Sequence, residues 1–180
     1  LQDVGVTEGE VVLYGYREFG PFFSMVKRLG ELLPKVNFKG DMVELQKDIP
    51  YTFENTPESL EELCQAIKRF IDHLEMDKSK ILSINLNISG RVNPDEGYSY
   101  SIFNFDERPL TDILTEKIGY NVAIDNDTRA MTYGEYLQGC VKGEKDVLFV
   151  NASMGLGIGI IIDGKLYKGK SGFSGEFGHI

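Results

Sequence analysis

An apolar run at 147–150 is followed by glycines at alternate positions, Gly155, Gly157 and Gly159, and by a second apolar run at 160–162. Strand, glycine turn and strand is an arrangement by which a backbone approaches a phosphate or a sugar, because glycine has no Cβ in the way. It also suits a twisted hairpin whose glycines admit a bulge or close strand packing. Both readings stand at this level. Asp163-Gly164 then marks a turn, and Gly175-Glu176-Phe177-Gly178-His179 closes the segment. A glutamate and a histidine three residues apart, between glycines, put an acceptor and a donor of switchable protonation on one loop.

Upstream, strands alternate with helices. Residues 36–45 read as strand, tight turn and strand, with Lys39-Gly40 at the tip. Thr56-Pro57 opens a helix as N-cap and first helical residue. Leu60, Leu63, Cys64, Ile67, Phe70, Ile71 and Leu74 then recur at spacings of three and four, with an end expected near Met76-Asp77. Residues 81–88 alternate apolar and polar and run into Ser89-Gly90-Arg91. A short amphipathic helix is expected at 110–118, a buried strand at 122–124, and a helix at 128–137. This order predicts an α/β fold with parallel pairing, and ligands in such folds gather at the carboxyl ends of strands. Gly90, the 125–127 cluster and the 155–159 glycines all fall at such ends.

Residues 1–35 fit the pattern poorly. Phe22, Met25, Val26, Leu29, Leu32 and Leu33 have helical spacing. Asp3-Val4-Gly5-Val6-Thr7 has the look of a phosphate turn without a strand ahead of it, and residues 7–15 also suit a short hairpin left from an upstream domain.

The net charge of −9 weighs against a surface that grips nucleic acid by itself. The two cysteines, Cys64 and Cys140, form no CxxC pair and imply no disulfide framework, which favours a reducing, cytoplasmic setting. No apolar run reaches membrane-spanning length and no signal peptide opens the chain. Ile180 directly follows a glycine-rich loop, which suggests a fragment boundary.

Three clusters can carry chemistry. Asp125-Asn126-Asp127 sets two carboxylates and an amide before a helix, where an aspartate can take a proton from a sugar hydroxyl while the amide orients the sugar. The plainer reading is that Asp127 or Thr128 caps that helix. The second is Ser153-Met154-Gly155-Leu156-Gly157-Ile158-Gly159. It lacks the Walker pattern and is not followed by a helix as a dinucleotide fingerprint would be. The third is Glu176 with His179, one of two histidines. His73 lies on the amphipathic helix as a solvated residue. A zinc site at His179 needs further ligands, which would have to come from beyond Ile180.

Taken in order, Gly90 after a strand, Asp125-Asn126-Asp127, the 155–159 glycines and Gly175-Glu176-Phe177-Gly178-His179 resemble the ROK family (repressors, open reading frames and sugar kinases) over roughly residues 36–180. The resemblance implies an actin-like ATPase (ribonuclease H-like) α/β fold, a mixed sheet flanked by helices, with two domains around a sugar-and-ATP cleft. It makes 36–128 the first domain and 129–180 the start of an incomplete second. It leaves 1–35 unassigned, as a possible tail of an upstream winged helix. It implies Asp127 as catalytic base in a kinase, and Gly90, Asn104, Asn126, Asp127, Glu176 and His179 as sugar-binding positions. Ser153, Gly155, Gly157 and Gly159 become a degenerate phosphate loop, and His179 a zinc ligand.

The departures are informative. Ser153-Met154-Gly155 stands where the family has Gly-Thr-Gly, Arg129 stands where its kinases often have Asn, and the Asp-x-Gly-Gly-Thr loop is not visible on the first hairpin. Phosphoryl transfer depends on contacts around the phosphates. A chain that keeps sugar residues and loses phosphate contacts resembles the sugar-sensing part of a NagC-like transcriptional repressor. The expected partners are a sugar and, through a winged helix absent here, DNA. The expected full-length assembly is a homodimer or homotetramer. The alternative is an ATP- and magnesium-dependent sugar kinase, and the blandest option is an inactive scaffold or dimerisation domain.

Overall fold

The computed structural model describes residues 11–15, 31–37, 42–49, 51, 54–139, 141–152 and 156–179. Its larger sheet has five strands in the order β3-β2-β1-β4-β7, built from β1 Val11–Gly15, β2 Glu31–Asn37, β3 Met42–Ile49, β4 Ile81–Ile88 and β7 Val122–Asn126. β1 and β4 pair in parallel, as do β4 and β7, whereas β2 runs antiparallel to both β1 and β3. The parallel register sets Gly15 beside Leu86 and Ile88 beside Asn126. The carboxyl ends of three strands therefore open on one edge, where ligands of open α/β sheets bind.

Helix α1, Pro57–His73, starts as its sequence predicts: Thr56 is extended, and its side chain accepts a hydrogen bond from the Ser59 backbone N–H. It stops three residues short of the expected end. Leu60, Leu63, Ile67, Phe70 and Ile71 on its apolar stripe join Ile84 and Leu86 of β4, Val122 and Ile124 of β7, and Leu110, Leu114 and Ile118 of α2 (Leu110–Ile118) in one core. Lys117 of α2 clasps Glu61 of α1 at 2.7 Å over this core.

The strands at 11–15 and 31–37 correct the reading of the N-terminal residues. Residues 11–15 are not half of a detached hairpin, since β1 sits between β2 and β4 and supplies the first parallel pair. Leu32 and Leu33 are strand residues, not a helix face. Pro34 within β2 disguised the strand; it lies just outside the β1 ladder, which stops at Lys35, and stands opposite Leu45 in the β3 ladder. The 22–30 helix, the Asp3–Thr7 turn and the Lys39-Gly40 tip lie outside the described residues.

A hairpin of β5, Val92–Asn93, and β6, Tyr98–Ser99, follows β4. Helix α3, Asp127–Gln138, follows β7 without a break. The second sheet is an antiparallel meander of β8 Val147–Ala152, β9 Leu156–Ile162 and β10 Lys165–Leu166. Asp163 and Gly164 both have positive φ at the β9–β10 turn, as a tight hairpin of right-twisted strands requires. α3 leaves the first sheet and packs its threonines on β9 of the second, so it joins the two halves.

Cys64 is wholly buried in the core, and burial pushes its thiol up to about 11 from 9.0. The fold thus favours the neutral thiol. That contribution is fully present below about pH 9 and is lost as pH rises through 11; it amounts to roughly 2–3 kcal/mol. Urea midpoints are expected to fall more steeply above pH 9 for this chain than for Cys64→Ala, and parallel curves would contradict the assignment.

Candidate functional site

The two residues that end β7 and begin α3 divide the work. Asn126 is the helix N-cap: its Oδ1 accepts the Arg129 backbone N–H at 3.0 Å. That cap role, expected of Asp127 or Thr128, falls one residue earlier. Capping aims the Asn126 amide nitrogen outward, where it donates to Gly90 O at 2.9 Å and to Glu176 Oε1 at 3.1 Å. The residue is 4% exposed and both bonds are part-buried, so they are worth more than they would be at the open surface. Asp127, released from capping, occupies the first helical position. The helix dipole there favours a carboxylate. Ser89 Oγ donates to its Oδ2 at 2.5 Å and the Thr128 N–H to its Oδ1 at 2.6 Å.

Gly90 has φ +88, and a Cβ on it would meet the Ser101 side chain at 2.4 Å. Ser101 Oγ in turn accepts the Arg91 N–H. Glycine is thus required for the loop after β4 to turn back and present its carbonyl to Asn126. On the far side, the loop after β10 is threaded across β9. The Ile158 N–H donates to Gly175 O at 2.9 Å, and a Cβ on Gly175 (φ +88) would lie 1.7 Å from Ile158 O. Glu176 follows at once and reaches Asn126. Gly90, Asn126, Asp127 and Glu176, four of the residues singled out from sequence, therefore gather around one amide.

The other expected residues fall differently. Asn104 is exposed, just after Phe103, a buried residue held at φ 56 with its N–H donating to Asn55 Oδ1 at 2.7 Å. Backbone this unusual for a phenylalanine persists only where its surroundings impose it, and it fixes where Asn104 emerges. His179 ends the short turn Phe177–His179. Among the described residues no group of three or more His, Cys, Asp or Glu is placed to hold a metal, so those residues alone do not make a zinc site.

Gly157 and Gly159 pack against a helix. Their open face is filled by α3: a Cβ would lie 2.5 Å from Thr128 Oγ1 at Gly157 and 1.6 Å from Thr132 Oγ1 at Gly159. Their neighbours on that face are packed threonines, so close helix–strand approach is reason enough for glycine at both positions. Ser153 and Gly155 lie outside the described residues. Sequence reasoning passed over Ser89, the partner of Asp127. It also gave Arg129 no structural role, although an aspartate four residues before an arginine at a strand–helix junction signals a pair.

The family model for the ROK family matches residues 36–180. The chain belongs to the ROK family. The xylose repressor of Bacillus subtilis is 33% identical over 128 residues, which cover 70% of this chain and 33% of the repressor. A glucokinase of Streptomyces coelicolor is 34% identical over 127 residues, covering 69% of this chain and 40% of the enzyme. Among solved structures, a ROK family glucokinase from Streptomyces griseus, in complex with glucose and AMPPNP, superposes with a TM-score of 0.68 at 25% identity. It covers 93% of this chain and 50% of its own. A ROK family transcriptional regulator, a homolog of the E. coli MLC protein, reaches 0.72 at 23% identity over 96% of this chain and 42% of its own. The α/β fold is thus the actin-like one of the ROK family. The chain spans only a third to two fifths of the length of these two curated relatives.

Proposed function

We propose that this chain is the sugar-sensing part of a NagC-like ROK transcriptional repressor. The carrying observation is the Asn126 amide, which joins the loop after β4 to Glu176 on the loop after β10, with Asp127 beside it. A small polyol entering here meets two carboxylates as acceptors for its hydroxyls, drawn from both halves of the chain. A sugar that binds the closed arrangement better than the open one shifts the population towards closure. That shift is the coupling by which an attached winged helix, and a homodimer or homotetramer built on it, would release DNA. The phosphate side supports a sensor: Ser153-Met154-Gly155 replaces the Gly-Thr-Gly pattern, and Gly157 and Gly159 are taken up by packing. Zinc at His179 belongs to this proposal with its remaining ligands elsewhere in the protein, in a cytoplasmic setting.

Calorimetric titration of the protein with xylose, glucose and N-acetylglucosamine is expected to show binding by at least one. Glu176→Ala is expected to weaken it about 10- to 150-fold, since a hydrogen bond to a charged group is worth roughly 1.5–3 kcal/mol. No binding at millimolar sugar would overturn the proposal.

Asp127 supports a second reading, a sugar kinase. Its carboxylate, oriented by Ser89 and the Thr128 N–H, would take the proton of the hydroxyl being phosphorylated. Sugar-dependent ADP release at about one per second or faster, lost in Asp127→Asn, would establish the kinase and displace the sensor.

A further inference from the structure

Arg129 has the largest side chain among the described residues that are fully buried, yet the sugar site does not use it. A buried guanidinium is costly unless every N–H is engaged, and here its three nitrogens all have partners. Nε and Nη2 each approach Asp125 Oδ1 at 2.7 Å. Nη2 also donates to Val92 O of β5 at 3.0 Å, and Nη1 donates to Gly172 O. Val92 belongs to the hairpin after β4, and Gly172 to the loop after β10. The two loops meet directly over the guanidinium: Gly172 has φ +77, and a Cβ on it would come within 2.4 Å of Val92 O. Phe173 next to it packs edge-on against Tyr100, with ring centroids 5.2 Å apart, and Lys168 pairs with Asp95 at 3.3 Å.

The loop that carries Glu176 is therefore fastened in sequence: Gly172 by Arg129, Gly175 by Ile158, Glu176 by Asn126. The Arg129 backbone N–H is also the group that Asn126 caps, so the guanidinium anchor and the amide at the site stand on one helical turn.

We propose that Arg129 is a positioning residue for the sugar site. It ties the 168–176 loop to β5 and Asp125, and so sets Glu176 against Asn126 and tunes sugar affinity without touching the sugar. This rests on the sugar-site reading above. A lysine at 129 would keep the charge but lose the planar fork that serves a carboxylate and two carbonyls at once.

The test combines amide hydrogen exchange with titration of xylose, glucose and N-acetylglucosamine, on the protein and on Arg129→Met, Arg129→Lys and Leu63→Ala. Arg129→Met is expected to speed exchange in 168–178 at least tenfold relative to 57–73, and to weaken sugar binding at least tenfold. Arg129→Lys should fall between it and the parent, and it serves alone should Arg129→Met not fold. Leu63→Ala, a core truncation, should lower stability while the folded protein keeps its affinity. Unchanged affinity in the arginine variants, or equal loosening of 168–178 and 57–73, would overturn the proposal. If the parent binds none of the three sugars, the sugar-site reading fails and affinity tuning fails with it. Selective loosening of 168–178 in that case would show the anchor without a sugar function.

Discussion

Gly175→Ala is expected to lower sugar affinity at least 100-fold while the first sheet and its helices stay folded. The glycine has φ +88, which L residues rarely adopt, and the added methyl carbon would stand 1.7 Å from Ile158 O and 2.8 Å from Ile158 C. These are backbone atoms of a strand paired to β8 and β10, so no rotamer change relieves the overlap. The loop must yield instead. The left-handed φ and the clash each cost about 1–3 kcal/mol if the loop holds its place. The hydrogen bonds that keep it there are the Ile158 N–H to Gly175 O and the Asn126 amide to Glu176, at 2.9 and 3.1 Å. A displacement of an ångström breaks both. A 100-fold loss corresponds to about 2.7 kcal/mol, near the upper end of what a displaced charged acceptor contributes. Gly178→Ala provides the graded control: its Cβ would lie 3.0 Å from Leu156 O without a positive φ, so a loss of only a few-fold is expected. Calorimetry and circular dichroism on the two variants decide it. A Gly175→Ala protein that binds sugar as tightly as its parent would remove Glu176 from the site.

What could be read from the sequence was local. The Thr56-Pro57 start of α1 and its spacing of three and four were legible because cap, proline and apolar stripe all act within one helix. The clustering of Gly90, Asn126, Asp127 and Glu176 was legible through resemblance, since no spacing along the chain shows that residues 90 and 176 share one amide. The strand at Glu31–Asn37 was not, because its leucines mimic a helix and Pro34 argues against a strand until the neighbouring ladder is known. Arg129 read as a departure from a family pattern, whereas its burial depends on carbonyls 37 residues before it and 43 after. The two glycines of β9 posed the sharpest case. A bare backbone face suits a phosphate or a helix equally well, and the threonines of α3 that pack on it belong to a distant stretch of sequence.

Gly159→Ala tests that packing directly. At this position the added carbon would sit 1.6 Å from Thr132 Oγ1 and 2.5 Å from Thr132 Cβ. Rotating the hydroxyl away does not help, because Cβ itself is too close. Thr132 is 1% exposed, and its hydroxyl already donates to Thr128 O at 2.7 Å. The helix and strand must therefore separate, and the expected cost is about 3 kcal/mol, at the upper end for an added methyl in a packed interior. At Gly157 the nearest contacts are 2.5 Å to Thr128 Oγ1 and 3.1 Å to its Cβ, so Gly157→Ala is expected to cost roughly half as much. Urea denaturation of the two variants should rank them in that order, with sugar affinity reduced in both because α3 carries Asn126 and Asp127 at its start. If the glycines also served a phosphate, the same loss of stability would be joined by a second effect, because the overlap with α3 remains. The effect would then appear as lost nucleotide binding, and the kinase reading would gain at the expense of the sensor.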